Sequence, residues 1–315
     1  MRICYIKQAE NVDEYINYTN KIKSGFIRKI VVCYKKVFNI ITAKPIGDGI
    51  LFLVPHKKKK EIKLADKIAK KLKYYNINNI AIDNNLHIDN FKNRLYENNI
   101  NILDGRWLFN YLIIDSLEYI TNLKEEELGN KEISILVNDL NEVNINNIYE
   151  IAERVKRLNI ITNNINKLKN IENKLYEEKG IMITVSNNKR KSLAKTQIIV
   201  NIDFPEEILN KYNINKKAIL INIEDKIKIH NKSFNGININ YYDIEIDKNI
   251  MNKFIENDMD NNFDKTVLYE SLVYSKNRYH TICEKIKKDG IKIKGLIGNN
   301  GVINEKEIQM LNFKK

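Results

Sequence analysis

The clearest order in the chain begins at residue 131, where short uninterrupted apolar runs alternate with amphipathic stretches. Ile133-Ser134-Ile135-Leu136-Val137 has the length of a buried strand, and Ile145, Ile148, Ile151, Ala152 and Val155 then mark one face of a helix. Leu158 to Thr162 reads as the next strand. Ile165, Leu168, Ile171 and Leu175 form the next helical stripe, which Gly180 stops at its C-terminal end. Ile181 to Val185 reads as strand, Lys191 to Ala194 as a brief helix, and Ile198 to Ile202 as strand again. Pro205 suits the first turn of another helix, whose dipole Glu206 and Glu207 complement, and Ala218 to Ile223 is a further strand. Strands that are apolar throughout and separated by helices predict a parallel sheet covered on both faces.

The first hundred residues predict a smaller α/β unit. Ile30 to Tyr34, Phe38 to Ile41 and Ile50 to Val54 read as strands, with Pro45-Ile46-Gly47-Asp48-Gly49 as a separator. Ile62, Leu64, Ala65, Ile68, Ala69 and Leu72 have helical spacing. Strands near Ile77 to Ile82 and Ile100 to Leu103 flank a helix near Ile88 to Tyr96, and Asp104 stands where an N-cap would open the helix at Trp107. That last helix is interrupted by Asn110, Asp115 and Glu118, so it is a buried soluble helix rather than the ~20 apolar residues of a bilayer span. Residues 226–245 read as a small β appendage and 249–288 as helical. The expected organisation is an α/β protein, with an N-terminal α/β domain over 1–128, a parallel-sheet domain over 129–246 and a C-terminal helical layer over 247–315.

Charge changes the picture little. The 315 residues carry a formal +13, distributed as +11 over residues 1–100, −7 over 101–150 and +7 over 151–200. Lys57-Lys58-Lys59-Lys60, Lys189-Arg190-Lys191 and Lys285 to Lys288 are the basic clusters. They allow a phosphate-backbone footprint. Arg, the residue suited to bidentate recognition of phosphate and bases, is scarce, and the excess of Ile, Asn and Lys matches an AT-rich coding bias. Nucleic acid is therefore a secondary expectation. Cys4, Cys33 and Cys283 are odd in number and far apart, which argues against a disulfide framework and a CxxC knuckle and fits a reducing compartment. The amino terminus lacks the apolar core of an export signal. His56, His87, His230 and His280 are dispersed, without metal-ligand spacing. Cys4 and Cys33 fall in strand-like runs, where inert burial is expected. Gly295-Leu296-Ile297-Gly298-Asn299-Asn300-Gly301 lacks the GK[ST] of a phosphate-binding P-loop; Gly298 and Gly301, with Lys292 and Lys294 nearby, form a candidate anion site.

Three phrases in residues 131–223 carry a resemblance: Gly129 to Val137 as a lead-in, Ile160-Ile161-Thr162-Asn163-Asn164 with Lys167, and Ala194 to Ile202 followed by Pro205-Glu206-Glu207. In this order they resemble the nucleotide-binding half of the shikimate dehydrogenase and glutamyl-tRNA reductase group. The resemblance implies a Rossmann-like domain. It also implies a GxGxxG-type turn, whose glycines let the backbone approach a pyrophosphate at a helix N-terminus. Here that turn reads Asn138-Asp139-Leu140-Asn141-Glu142-Val143 and contains no glycine. Asp139 and Glu142 bring carboxylates to the pyrophosphate position, and Asp139 or Asn141 serves as a helix cap, so the scaffold is degenerate. By the same resemblance Asn138, Asp139, Asn163, Asn164, Lys167 and Asp203 are the cofactor-facing positions, with Asn164 and Lys167 suited to the 2′-phosphate of NADP. Val54-Pro55-His56-Lys57 resembles the Pro-x-Lys segment of shikimate dehydrogenases, which implies an acid–base role for Lys57.

The missing glycines weigh most. They point to a cytoplasmic, non-catalytic or regulatory protein on a degenerate dinucleotide-binding scaffold, without a cofactor, whose partner is a small-molecule ligand or another protein. The alternatives are an NADP-dependent oxidoreductase of the resembled type and a nucleic-acid-associated protein.

Overall fold

A computed structural model of the protein describes residues 3–9, 33–34, 40–54, 61–86, 88–257, 259–275 and 277–311. The chain divides into two compact units, Met1–Gly105 with Ile246–Lys276 and Arg106–Glu245 with Asn277–Lys315. The division after Gly105 lies ahead of the boundary expected at 128. Helices Arg106–Tyr111 and Ile113–Leu123 belong with the second unit, where Asn110 donates to Asn144 and Glu118 pairs with Arg154.

Among the described residues the first unit holds a five-stranded sheet. Its strands are β1 (Ile3–Gln8), β2 (Thr42–Ile46), β3 (Gly49–Val54), β4 (Asn79–Ile82) and β5 (Asn101–Leu103), in the spatial order β2-β3-β1-β4-β5. All pairings are parallel except the β2–β3 hairpin. Residues of β1 alternate between two cores. Cys4 and Ile6 face helices Glu61–Tyr74 and Asp89–Glu97, while Ile3 and Tyr5 face helices Lys248–Ile255 and Lys265–Val273. This is the two-layer covering that continuous apolar strands require.

Several expectations for this unit need correction. Residues 30–32 and 38–39 lie outside the described residues. Cys33 and Tyr34 are helical and exposed, so Cys33 is neither in a strand nor buried. Strand propensity reflects fit to a half-buried pleated surface, which these two residues do not meet. The separator at Pro45 is itself strand β2, paired antiparallel with β3 across the Gly47-Asp48 turn. Proline is tolerated there because β2 is, among the described residues, the edge strand of its sheet.

The second unit holds an eight-stranded sheet. Its strands are β6 (Glu132–Leu136), β7 (Arg157–Ile161), β8 (Thr184–Ser186), β9 (Ile198–Asn201), β10 (Ile219–Asn222), β11 (Ile237–Glu245), β12 (Lys292–Gly298) and β13 (Gly301–Val302). The spatial order is β13-β12-β11-β10-β9-β6-β7-β8, and β8-β7-β6-β9-β10-β11 are mutually parallel. Counted from β6, that block runs 3-2-1-4-5-6, the doubly wound Rossmann order. The fold is thus a Rossmann-like parallel-sheet domain preceded by a smaller α/β unit. Gly180 ends helix Ile165–Lys179 in the left-handed conformation at φ 66°, as its position implied.

Three details differ from the sequence reading. Residues 189–193 form turns rather than a helix. The stretch read as a β appendage supplies β11, a full member of the sheet, because Ile237 and Ile239 align with Ile219 and Ile221 of β10. The segment expected as a helical layer over 247–315 also holds the antiparallel strands β12 and β13, of which β12 overlaps the strand that Ile291-Lys292-Ile293-Lys294 predicts. Among the described residues no helix is long and apolar enough to cross a membrane.

Candidate functional site

In open α/β sheets ligands bind outside the carboxyl ends of the strands, at the point where strand order reverses. In the second unit that point lies between β6 and β9. The chain leaves β6 through Val137, Asn138 and Asp139, and leaves β9 through Ile202 and Asp203. Asp203 reaches across and accepts the Asn138 N–H on both carboxylate oxygens, each at 2.8 Å, and the Asp139 N–H at 2.5 Å. A carboxylate of the chain itself thus takes up the first backbone donors of the turn that a pyrophosphate would approach. Asn138 in turn accepts the Asn163 N–H at 2.9 Å and the Thr162 hydroxyl at 3.4 Å, tying in the exit from β7.

The helix Glu142–Arg154 that follows the turn is closed in the same way. Asn141 is its N-cap, accepting from the Asn144 N–H at 2.9 Å, which resolves the cap to Asn141 rather than Asp139. Asn144 is fully buried and donates to the Asp139 carbonyl at 2.8 Å. Glu142 accepts the Tyr279 N–H at 3.3 Å. The N–H groups of Asn138, Asp139 and Asn144, among those that would cradle an anion, are held by neighbouring side chains, and Asp139, Glu142 and Asp203 add negative charge around them.

Farther along the same edge, Asn201, Asn222 and Asn240 end β9 and β10 and lie within β11 as a buried ladder. Asn201 donates to Asn222 at 3.1 Å, and Asn222 donates to Asn238 at 2.8 Å and to Asn240 and the Ile239 carbonyl at 3.1 Å. Asn240 continues to Asn299 at 2.8 Å. Arg106 caps the row from outside through the carbonyls of Ile223 at 2.7 Å and Asn240 at 3.2 Å. Buried amides of this kind are tolerated only when satisfied, and here they satisfy one another.

Burial raises the Asp203 pKa above the usual carboxylate value, and the N–H groups of Asp139 and Asn138 pull only part of it back. Glu224, just past β10, is pushed up to about 7 by desolvation, then by the charges of Asp203, Asp225 and Asp139. The folded protein therefore holds the Glu224 proton more tightly than the unfolded chain does, whose ordinary value is 4.5. Its stabilising contribution is complete below that value and is lost as pH rises through about 7. Glu224 remains an exposed residue, so solvent screening limits the effect to about 1 kcal/mol. Urea titrations at pH 5 and pH 8 should show the wild type losing stability across this interval and Glu224→Gln losing less; equal losses would refute the assignment.

The first unit closes its own reversal point, between β1 and β4, by a comparable device. Asp83, fully buried beyond β4, accepts the N–H of Gln8 at 3.0 Å and of Asn85 at 2.7 Å. Glu270, also fully buried, accepts the Gly105 N–H at 2.8 Å.

Of the positions singled out from sequence, Asn138, Asp139, Asn163 and Asp203 come together as one hydrogen-bonded cluster. Asn164 is joined to it through Thr162, whose hydroxyl accepts the Asn164 N–H at 3.0 Å. Lys167 is exposed on the first turn of its helix. Lys57 lies outside the described residues. Gly298 and Gly301 face each other as the closing pair of the β12–β13 hairpin, and Asn299 at its tip accepts from Asn240, so the glycine-rich loop serves as a turn. Lys292 and Lys294 are exposed on β12. The asparagine ladder, Glu224 and Asp225 were not singled out. The signal for Asn201, Asn222, Glu224 and Asp225 is position, polar residues at or just past the end of an apolar run, whereas Asn240 lies inside its strand and carries no such mark.

No family model matches the chain, and no curated protein matches it in sequence. Among solved structures the chain is similar to L-tryptophan dehydrogenase from Nostoc punctiforme, at 11% identity over 91% of this chain and 80% of that one, with a TM-score of 0.34. It is also similar to a chorismate mutase/shikimate 5-dehydrogenase fusion protein from Clostridium acetobutylicum, at 12% identity over 91% of this chain and 99% of that one, TM-score 0.24. An ornithine carbamoyltransferase from Pyrococcus furiosus matches at 7% identity over 70% and 71%, TM-score 0.26. Likeness of this degree adds nothing to the strand order, from which the fold is read.

Proposed function

We propose that the protein is a non-catalytic, regulatory binding protein of the cytoplasm, built on a dinucleotide-type scaffold that no longer takes a dinucleotide. The observation that carries this reading is the Asp203 carboxylate seated on the N–H groups of Asn138 and Asp139. A pyrophosphate at that turn would have to displace a bound carboxylate and then sit among Asp139, Glu142 and Asp203. Like charges within about 4–6 Å disfavour one another strongly in a partly dry site. The edge accepts a ligand of the opposite kind, a cationic small molecule or a basic segment of a protein partner. Free thiols at Cys4, Cys33 and Cys283 support a reducing compartment.

Calorimetric titration with NADP and NADPH should give no binding heat at millimolar ligand. Tight binding of NADP that is lost on changing Asn164 and Lys167 would overturn the proposal in favour of an oxidoreductase. A thermal-shift screen of amines and basic peptides complements it, since a ligand at 100 times its dissociation constant adds about 2.7 kcal/mol to stability.

A further inference from the structure

One face of the second unit's sheet is covered by irregular chain. The β8–β9 connection, residues 187–197, and the stretch from 210 to 218 that leads into β10 run side by side. The Asn213 N–H donates to the Lys189 carbonyl at 2.8 Å, and its side chain donates to the Arg190 carbonyl at 3.4 Å. Asn215 repeats the pattern, with its N–H on the Leu193 carbonyl at 3.1 Å and its side chain on the Thr196 carbonyl at 3.1 Å. Asn188 shapes the first segment by accepting the N–H groups of Arg190 at 3.0 Å and Lys191 at 3.1 Å. Leu193, Tyr212 and Ile214 turn inward into one apolar cluster with Leu136, Ile199 and Leu220.

What remains outward is basic. The first segment exposes Lys189, Arg190, Lys191 and Lys195. The second exposes Lys211, Lys216 and Lys217. Neither segment contains an acidic residue. None of the seven cations forms an ion pair among the described residues. Two clusters about twenty residues apart in sequence thus form one cationic surface on a backbone fixed by hydrogen bonds.

We propose that this face binds the phosphate backbone of duplex nucleic acid without sequence preference. Lysines on a fixed backbone neutralise phosphates as point charges, and a single Arg offers little bidentate reading of bases. Single strands are held by aromatic side chains that stack with bases, and the one aromatic residue of these segments, Tyr212, is buried. Stable attachment to an anionic membrane combines basic charge with an inserted apolar or lipid group, and the large apolar residues of both segments point into the core.

The test is fluorescence anisotropy of the full chain with a labelled 20-base-pair duplex, repeated from 50 to 200 mM salt. The measurements are repeated with the single strand and with vesicles containing phosphatidylserine. The duplex should bind, with log K falling linearly in log salt. Lys189→Ser, Lys191→Ser, Lys216→Ser and Lys217→Ser combined should weaken binding at least tenfold and flatten the slope by about one for each phosphate that is no longer neutralised. Lys292→Ser with Lys294→Ser, elsewhere on the same unit, should leave binding nearly unchanged. Circular dichroism melts confirm that both variants fold. Unchanged affinity in the quadruple variant overturns the proposal, as does equal loss per charge in the control, which would mean that net charge alone attracts the duplex. A preference for vesicles over duplex that the quadruple variant abolishes also overturns it and assigns the face to a membrane.

Discussion

Replacing Asn222 by alanine is expected to cost about 3–4 kcal/mol of folding stability, a large share of the margin of an ordinary domain. The side chain is fully buried at the end of β10 and makes hydrogen bonds in both directions, accepting from Asn201 and donating to Asn238, Asn240 and the Ile239 carbonyl. Alanine removes the central rung, leaving a buried Asn201 N–H without a partner in a place water does not reach and the half-buried Asn238 amide oxygen without its donor. Each such orphan costs about 1–3 kcal/mol, and a small cavity adds to it. Urea titration should show a lower midpoint with an unchanged slope, the mark of lost stability without a changed denatured state.

Aspartate at the same position separates shape from hydrogen bonding. Asn222→Asp keeps the acceptor that Asn201 uses but, when ionised, offers no donor to Asn238, Asn240 or Ile239. It should be at least as destabilising as alanine at pH 7 and recover partly on acidification, when the carboxyl regains one O–H donor. A loss below about 1 kcal/mol in Asn222→Ala would mean that solvent reaches the ladder and that the edge of the sheet is open.

The ladder also marks where reading from sequence alone reached its limit. The parallel sheet was legible because Ile133 to Val137, Ile198 to Ile202 and Ala218 to Ile223 are apolar on both faces but for one polar residue each, and they alternate with helical stripes as the strands of a covered parallel sheet do. The glycine-free turn was legible as a departure from the pattern it resembles. The partner that fills the turn was not, because Asp203 lies 65 residues from Asn138 and meets it only once β6 and β9 pair. The asparagines were indistinguishable from the general Asn excess until strand register brought Asn201 level with Asn222. The same holds for the basic face, whose two segments become neighbours through Asn213 and Asn215. The boundary at Gly105 was hidden because helix Arg106–Tyr111 is apolar enough to suit either unit. Local patterns thus predicted most of the elements but not β2 or the turns at 189–193, while the site depends on contacts between residues far apart in the chain.

Gly236→Ala is expected to be about as damaging as the Asn222 variants, although it adds a single methyl group. A Cβ at Gly236 would stand 2.1 Å from the Ala218 carbonyl oxygen and 2.7 Å from the Phe234 ring. The ring could shift, but the carbonyl cannot: it accepts the Ile237 N–H at 3.0 Å and forms the first rung between β10 and β11. Relieving the clash therefore separates the strands at their start and loosens the register that aligns Asn222 with Asn240. Overpacking against side chains commonly costs 1–3 kcal/mol, and an immovable backbone oxygen places this case at roughly 3 kcal/mol or more. Gly180→Ala supplies the comparison. Its φ of 66° disfavours a side chain, yet nothing lies within 4 Å of the added carbon, so it should cost only about 1 kcal/mol. Thermal melts of the two variants should differ by several degrees, with Gly236→Ala the lower. Where Gly236→Ala is recovered only as aggregate, expression at reduced temperature beside soluble Gly180→Ala provides the same ranking. Equal melting temperatures would mean that β11 can retreat from β10 without cost, and the rung at Ala218 would then not set the register on which the asparagine ladder depends.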